Sequence, residues 1–478
     1  MLAELFDPVY KIFNPLPPVI VNHLYPVLFL LNIFLVLYFL KNNTRQWKEI
    51  KGLMDRRLAL LLVPVLLFAA ANMIYCMNPD NNIPPVGTEI MLEAENYFQD
   101  MHFSRVARPL GISGLLIPAQ HLPADITLLM SSIGIMLALG TIFIMCLAIK
   151  KLTNSNIISI MLAALYAFLS PVVYFSSSHV SGAVFSALAI TSLVLLYVLK
   201  NDDPKTILYA TTLTLFGRVE NIVLVLVFIG YLFVKKRKIH WIHFLMGYAM
   251  LLPNIEVARY WPCYTMPYHD FAFGIDNLLN RVLSIFYQIQ FNFFLLGILI
   301  FIGIICCRKR IIIWIPIALL TFLLFFQQYE NVSLRYMVPL LPVFFILVSC
   351  CYRVISSYKN GAWLFVFILL VMSLGSEFTA FDKVKDHSYI SESKKASEIT
   401  SDDCGLLSYV DGGRYFSRFY DNITIIHPDL RWVPEGLDCM VLISEFDESE
   451  MELETRLDAE LELIEEYSVT WVFSVEQG

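Results

Sequence analysis

The stretch KTILYATTLTLFGRVENIVLVLVFIGYLFVKKRK, Lys205 to Lys238, decides how the rest of the chain is read. Both ends are basic, and cations collect on the cytoplasmic side of membrane proteins, so both ends belong to the same aqueous side. The 29 residues between them, 206–234, are too few for two full spans of about 20 residues each. A helix over Thr206–Gly217 rises only about 18 Å, against roughly 30 Å of hydrocarbon. The spacing therefore predicts a short hairpin whose tip, Gly217-Arg218-Val219-Glu220-Asn221, lies below the outer surface. Charged groups are costly at that depth, and non-helical backbone is tolerated there only where protein or a wet cavity covers it. Arg218 and Glu220 are thus candidates for function, the structural alternative being an ion pair that merely fastens the hairpin.

The flanks follow the same logic. With 58% hydrophobic and 16% charged residues in 478, the chain holds too many long apolar runs for a soluble protein. Runs of near-spanning length fall at 20–40, 58–77, 126–149, 157–175, 180–199, 242–258, 285–306, 311–327, 336–354 and 361–379. With the hairpin counted as two crossings the total is twelve, both termini outside. No cleavable signal peptide is expected, because no basic segment precedes a short apolar core. Residues 380–478 carry 23 acids and 8 bases, so an acidic soluble domain is expected after a basic membrane body. The boundaries are 1–57 for an N-terminal span with its basic linker, 58–380 for the membrane domain and 381–478 for the tail.

Sorting the charges by side adds chemistry to topology. The inner loops, Lys41 to Arg57, Lys150/Lys151, Lys200 to Lys205, Lys235 to Lys238, Arg308 to Arg310 and Arg353 to Lys359, mix lysine with arginine. The short outer loops keep Lys11, Arg105, Arg108, Arg218, Arg259, Arg281 and Arg335, nearly all arginine. A planar guanidinium presents a fixed fork of donors to phosphate or carboxylate, whereas an ammonium is a hydrated point charge. The outer face is suited to hold an anion.

The first outer loop, 78–125, supplies acids. On a helix Glu89, Glu93, Asn96 and Asp100 form one stripe and Ile90, Ala94, Tyr97, Phe98 and Met101 another, the pattern of an interfacial helix. Its acidic face is either a solvated surface or the source of a carboxylate base. Loop 328–335 ends in Arg335-Tyr336 at the mouth of a span, where headgroup snorkelling is the plainer role for Arg335. The tail alternates strand-like runs at Gly405–Val410, Asn422–Ile426, Cys439–Ser444 and Val469–Val475 with helical ones at Gly413–Tyr420 and, strongly acidic, near Glu448–Tyr467, which predicts a small α/β layer. The nine cysteines show no zinc spacing; Cys306/Cys307 and Cys350/Cys351 are expected to face core or lipid, and Cys404 and Cys439 are a candidate pair. Walker, GxGxxG, HExxH and nucleophile-elbow motifs are missing, and neither Asp202-Asp203 nor Asp402-Asp403 has the D-x-D spacing used to bind metal-bridged sugar nucleotides. A lipid-linked phosphate on the outer leaflet therefore fits better than a soluble nucleotide. No nucleic-acid partner is indicated.

Four stretches, in this order and with this sidedness, carry a family likeness. They are Gly87-Thr88-Glu89 with Arg108-Pro109-Leu110; Ser170-Pro171-Val172-Val173-Tyr174-Phe175-Ser176-Ser177-Ser178; Arg218-Val219-Glu220-Asn221; and Leu334-Arg335-Tyr336-Met337-Val338-Pro339-Leu340-Leu341-Pro342. Together they resemble the GT-C superfamily of integral-membrane glycosyltransferases, especially its protein O-mannosyltransferase and aminoarabinose-transferase-like branch, over most of 58–380. The resemblance implies a polytopic α-helical membrane protein of about 12 spans with a small C-terminal α/β extracytoplasmic domain, placed in the plasma membrane. It also implies a polyprenyl-phosphate (dolichyl-phosphate-type) sugar donor, a hydroxyl acceptor on protein, lipid or glycan, and an acidic base at the start of the first outer loop. Glu89 matches that base, with Glu93 one turn away as its competitor. Arg218, Arg335 and Tyr336 are expected at the donor phosphate, and Arg108, Glu220, Arg259 and His102 around the substrates. The chain departs from the family in having Thr88-Glu89 for the frequent Asp-Glu pair, His179-Val180-Ser181 where an acid is common, and an extra N-terminal span at 20–40. The Trp-Trp-Asp-Tyr-Gly signature of oligosaccharyltransferases is missing.

The reaction sets the same requirements without a family name: a base on the acceptor, charge stabilisation for the departing phosphate, and alignment of the two. Phosphate is a good leaving group, so direct inverting displacement needs no strong general acid. No spacing demands a cofactor; a divalent metal is compatible, with His102, His179 and His269-Asp270 as ligands, although each is also an ordinary interfacial histidine. A lipid-linked glycan polymerase or ligase is the nearest alternative. A transporter or flippase is the alternative from another class; it predicts two similar halves, which the sequence does not show.

Overall fold

The computed structural model describes residues 18–76, 126–177, 182–200, 203–218, 221–235, 242–243, 282, 297–326 and 337–375, and five strands between 405 and 476. Backbone contacts divide the chain into two units, Met1–Tyr75 with Glu93–Phe378 and Cys76–Leu92 with Thr379–Gly478.

The described part of the first unit is helical: α1 Pro18–Asn42, α2 Thr44–Leu53, α3 Arg56–Cys76, α4 Ile126–Thr153, α5 Asn156–Ala167, α6 Ser170–Ser177, α7 Gly182–Val198, α8 Pro204–Leu215 and α9 Ile222–Val234. After these come α10 Gly297–Cys306, α11 Arg310–Phe326, α12 Leu341–Ile355 and α13 Gly361–Gly375. Among the described residues Arg56–Cys76 and Ser131–Thr153 are long and apolar enough to cross a membrane. The chain is a helical membrane protein.

The core is built around α4, which packs against α5, α6, α7 and α12. Ile142, Met145 and Cys146 of α4, Ile190, Leu193 and Val194 of α7, and Val343 to Val348 of α12 are buried. Lipid tails are as apolar as these side chains, so close van der Waals packing and polar contacts hold the helices together more than water exclusion does. Small residues mark the crossings. A Cβ at Gly303 of α10 would stand 2.4 Å from the Leu347 carbonyl oxygen of α12, and one at Gly140 of α4 would stand 3.2 Å from Leu188 of α7. Buried hydroxyls are satisfied within their own helices: Thr191 on the Ala187 carbonyl at 2.5 Å, Thr211 on Ile207 at 2.6 Å, Ser349 on Ile346 at 2.6 Å. Hydrocarbon supplies no water to do this.

The 157–175 run, expected as one span, is broken inside. It is two helices, α5 and a helix over Pro171–Ser177, bent by 62°. Pro171 lacks the N–H that would continue the ladder, and α5 has already closed at Phe168, whose N–H returns to the Ala164 carbonyl at 3.1 Å. The basic linker 41–57 contains a helix, α2, that the sequence reading did not anticipate; Trp47, Ile50 and Leu53 share one side of it, and the Lys51 ammonium lies 5.6 Å from the Trp47 ring centre.

The N-terminal helix is tied to the hairpin. Asn32 is fully buried in α1; with its amide oriented to match the surrounding donors and acceptors, it donates to the Tyr209 carbonyl at 2.9 Å and accepts from the Leu213 N–H at 3.2 Å and the Thr212 hydroxyl at 3.1 Å. One side chain thus bridges two backbone groups of α8. Nearer the end of α1, Phe39 stacks on Tyr209 with ring centres 5.8 Å apart, and the Tyr209 hydroxyl lies 2.9 Å from His243 Nδ1.

In the second unit the strands β1 Gly405–Tyr409, β2 Ile423–Ile426, β3 Met440–Ser444, β4 Glu460–Glu466 and β5 Trp471–Glu476 form one sheet in the order β2-β1-β3-β5-β4. β1 runs parallel to β2 and β3, while β5 is antiparallel to β3 and β4. This corrects the second part of the acidic helix expected near Glu448–Tyr467, since Glu460–Glu466 is an edge strand; residues 448–459 lie outside the described residues. Glu460, Leu461, Glu462 and Leu463 alternate with period two, and pairing with β5 overrides the helical propensity of glutamate and leucine. The segment expected as a helix at Gly413–Tyr420, and Cys404 and Cys439, lie outside the described residues.

Candidate active site

The hairpin at 204–234 is two short helices meeting at a tight tip. Asp203 caps α8, its carboxylate accepting from the Thr206 N–H at 3.1 Å and hydroxyl at 2.6 Å, and Pro204 takes the first turn, where no N–H is needed. The sequence placed this helix at Thr206–Gly217; it has the same twelve residues' length but begins two residues earlier because of that cap. It ends where Phe216 and Gly217 turn, their N–H groups bonding the Leu213 and Thr214 carbonyls at 3.2 Å each. α9 restarts after Asn221.

The tip is held by backbone contact. A Cβ on Gly182, the first residue of α7, would lie 1.8 Å from the Gly217 carbonyl oxygen; one on Gly217 would lie 2.4 Å from Ser186 Oγ and 2.9 Å from the Gly182 oxygen. Only glycine fits on either side of this seam. Asn221, 2% exposed, locks it by donating to Ser186 Oγ at 3.0 Å and to the Thr214 carbonyl at 2.8 Å. Arg218 follows directly, half-buried, with its Cγ 3.5 Å from where a Gly182 Cβ would sit. The Arg218 side chain therefore starts from a buried anchor, the close contact of Gly182 with Gly217.

The ends of the helices sort themselves. Lys151 pairs with Glu49, Lys150 lies 3.9 Å from Asp55, and Asn156 donates to Asp55 at 3.3 Å. The ammonium groups of Lys151, Lys200 and Lys235 act on Lys309. The end of α4, the starts of α3 and α5, the ends of α7 and α9, and the start of α11 are thereby gathered together. These are loops that the sequence assigned to one side. The opposite ends hold Tyr75 of α3, from which loop 78–125 leaves, Ile126 of α4, to which it returns, the Gly182–Gly217 seam, and Met337, which follows Arg335-Tyr336. From Met337 the chain makes a buried turn, Leu340 N–H to the Met337 carbonyl at 2.9 Å, before α12.

Of the residues expected at the site, Arg218 is described. Glu89, Glu93, His102, Arg108, Glu220, Arg259, Arg335 and Tyr336 lie outside the described residues, as do His179, His269 and Asp270. Among the described residues no group of three or more His, Cys, Asp or Glu is placed to hold a metal ion. Two serines of the 170–178 stretch turn inward: Ser176 and Ser177 are buried and donate to the Val172 and Val173 carbonyls at 2.6 and 2.7 Å. Sequence reasoning named Asn221 only as part of the tip and missed Gly182 and Ser186; the available signal was a pair of small residues after the serine run.

Neither a family model nor a curated protein matches the chain. Solved structures do. ArnT from Cupriavidus metallidurans in the apo state superposes with a TM-score of 0.52 at 10% identity, over 87% of this chain and 97% of that one. The Archaeoglobus fulgidus oligosaccharyltransferase, in complex with zinc and sulfate, superposes with a TM-score of 0.49 at 12% identity, over 82% of this chain and 69% of that one. At such an identity the likeness to ArnT is one of fold.

Proposed function

We propose that the chain is a GT-C glycosyltransferase that moves a sugar from a polyprenyl phosphate to a hydroxyl acceptor at the outer membrane face. The observation that carries this reading is the glycine-seamed hairpin tip, which anchors Arg218 at the end of the helices opposite the lysines, within a fold like that of ArnT. The fold likeness to ArnT supports the GT-C superfamily, to which the sequence resemblance to the protein O-mannosyltransferase and aminoarabinose-transferase-like branch also points. In this reading the chain crosses the membrane about twelve times, with the acidic domain extracytoplasmic. Arg218, Arg335 and Tyr336 take the donor phosphate, and forked guanidinium contacts offset the charge that develops on it as the glycosidic bond breaks. Glu89 or Glu93 removes the acceptor proton while the hydroxyl oxygen attacks the anomeric carbon from the opposite face, inverting it. Arg108, Glu220, Arg259 and His102 contact the substrates.

The test is transfer by the purified full chain from a labelled polyprenyl-phosphate sugar. A new glycosidic bond supports the proposal; vectorial movement of the lipid without one indicates transport. Glu89→Gln should abolish transfer and leave donor binding intact, and full activity in that variant would move the base to Glu93. Arg335→Lys should weaken donor binding although the charge is kept, because an ammonium lacks the fork; unchanged binding would rule out forked contact.

A further inference from the structure

We propose that the end of the helices opposite Arg218 carries a seat for the headgroup of an anionic phospholipid, formed by Lys200, Lys235 and Lys309 around the ring pair Tyr197–Tyr231. Three chain segments build it. α7 ends at Tyr197-Val198, and Lys200 follows in the left-handed conformation (φ 54°), its N–H on the Tyr197 carbonyl at 3.0 Å. α9 closes at Lys235, whose N–H bonds the Tyr231 carbonyl at 3.0 Å, and Lys309 lies in the short link between α10 and α11. The two tyrosine rings meet edge to face with centres 5.5 Å apart. The Lys309 ammonium stands 5.6 Å from the Tyr197 ring centre and the Lys235 ammonium 6.0 Å from that of Tyr231. One cation therefore lies over each ring of a touching pair.

Such an arrangement has an electrostatic cost that a bound anion would remove. Burial, and then the Lys200 charge, hold the Lys309 ammonium below the ordinary lysine range, with Lys151 and Lys235 acting in the same direction. Like charges brought together at a protein surface repel by an amount that a phosphate between them reverses in sign. The surroundings select a lipid over free phosphate. Phe233 and Val234, in the last turn of α9 before Lys235, are 84% and 79% exposed, and Ile305, near the end of α10, is 70% exposed. An acyl chain can lie along these side chains while its phosphate reaches the lysines, whereas inorganic phosphate gains nothing from them.

The seat does not depend on the proposed glycosyl transfer, and its test reads binding alone. Purified full-length protein, stripped of lipid, is titrated with micelles containing phosphatidylglycerol or phosphatidylcholine, and with inorganic phosphate in plain micelles. Phosphatidylglycerol should bind in preference. Lys235→Gln and Lys309→Gln should each weaken it roughly five-fold, the value of about 1 kcal/mol per lysine near an anionic headgroup, and Lys48→Gln should not. Unmodified protein gives a second readout: phosphatidylglycerol should protect Lys235 and Lys309 from amine acetylation relative to phosphatidylcholine, with Lys48 as reference. Equal labelling in the two lipids, or equal affinity for them, overturns the proposal. So does inorganic phosphate that binds as tightly as phosphatidylglycerol.

Discussion

Gly182→Ala is the sharpest probe of how the hairpin tip is held. The added methyl would stand 1.8 Å from the Gly217 carbonyl oxygen, about 1.5 Å inside the ordinary carbon–oxygen contact of roughly 3.3 Å. The obstacle is backbone and cannot rotate away, so α7 and the tip must part. Overpacking of this kind costs about 1–3 kcal/mol. The Asn221–Ser186 hydrogen bond, 3.0 Å across the same seam, would lengthen past bonding range and add about 1 kcal/mol. A displacement on the order of 1 Å at a catalytic group can lower transfer about a hundred-fold. The assays are thermal unfolding in detergent and transfer from a labelled polyprenyl-phosphate sugar, with Gly230→Ala as control, since nothing lies within 4 Å of a Cβ there. Gly217→Ala should be milder: its nearest obstacle, the Ser186 hydroxyl at 2.4 Å, is a side chain that can turn, and the backbone obstacle, the Gly182 oxygen, stands at 2.9 Å rather than 1.8 Å. A Gly182→Ala protein that unfolds and transfers like the wild type would refute both the seam and its role in anchoring Arg218.

Asn221→Ala removes two donations from a buried amide and should destabilise by about 1–3 kcal/mol, measured by denaturation in mild detergent. Asn32→Leu leaves α8 without its cross-helix bridge; the expected result is a lower unfolding temperature with the remaining helices intact by circular dichroism. Asp55 is held below its ordinary value of 3.8, first by the Leu58 N–H and then by Asn156 and Lys150. Its contribution is complete above that ordinary value and is lost as pH falls through the lowered native one. Asp55→Asn should therefore flatten the acid limb of stability against pH, and an unchanged limb would exclude the carboxylate as its source. In the tail, Leu461→Cys with Val475→Cys should cross-link, because the two positions are register partners across β4 and β5; peptide mapping that finds no such bond would restore a helix there.

The sequence by itself determined the membrane class, the positions of most described helices and the hairpin at 206–234, because those follow from local properties: apolar length against bilayer thickness, and where lysines and arginines interrupt it. It also gathered loops such as Lys150/Lys151, Lys200 and Lys235 on one side, and the ends of the helices carrying them meet. What it misjudged were features set by partners distant in the chain. Glu460–Glu466 looks helical by composition until β5 offers it a ladder. A different lapse is the 157–175 run, whose break between α5 and α6 was already marked in the sequence by Pro171. Tertiary structure alone decided that Gly182 meets Gly217, that Asn32 reaches into the ladder of α8, and that Lys235 and Lys309 stand over one pair of rings. The physical reason is that a close approach is a property of two surfaces. A glycine or a buried asparagine is legible as unusual in one dimension, but what it admits or binds is fixed only when the helices pack.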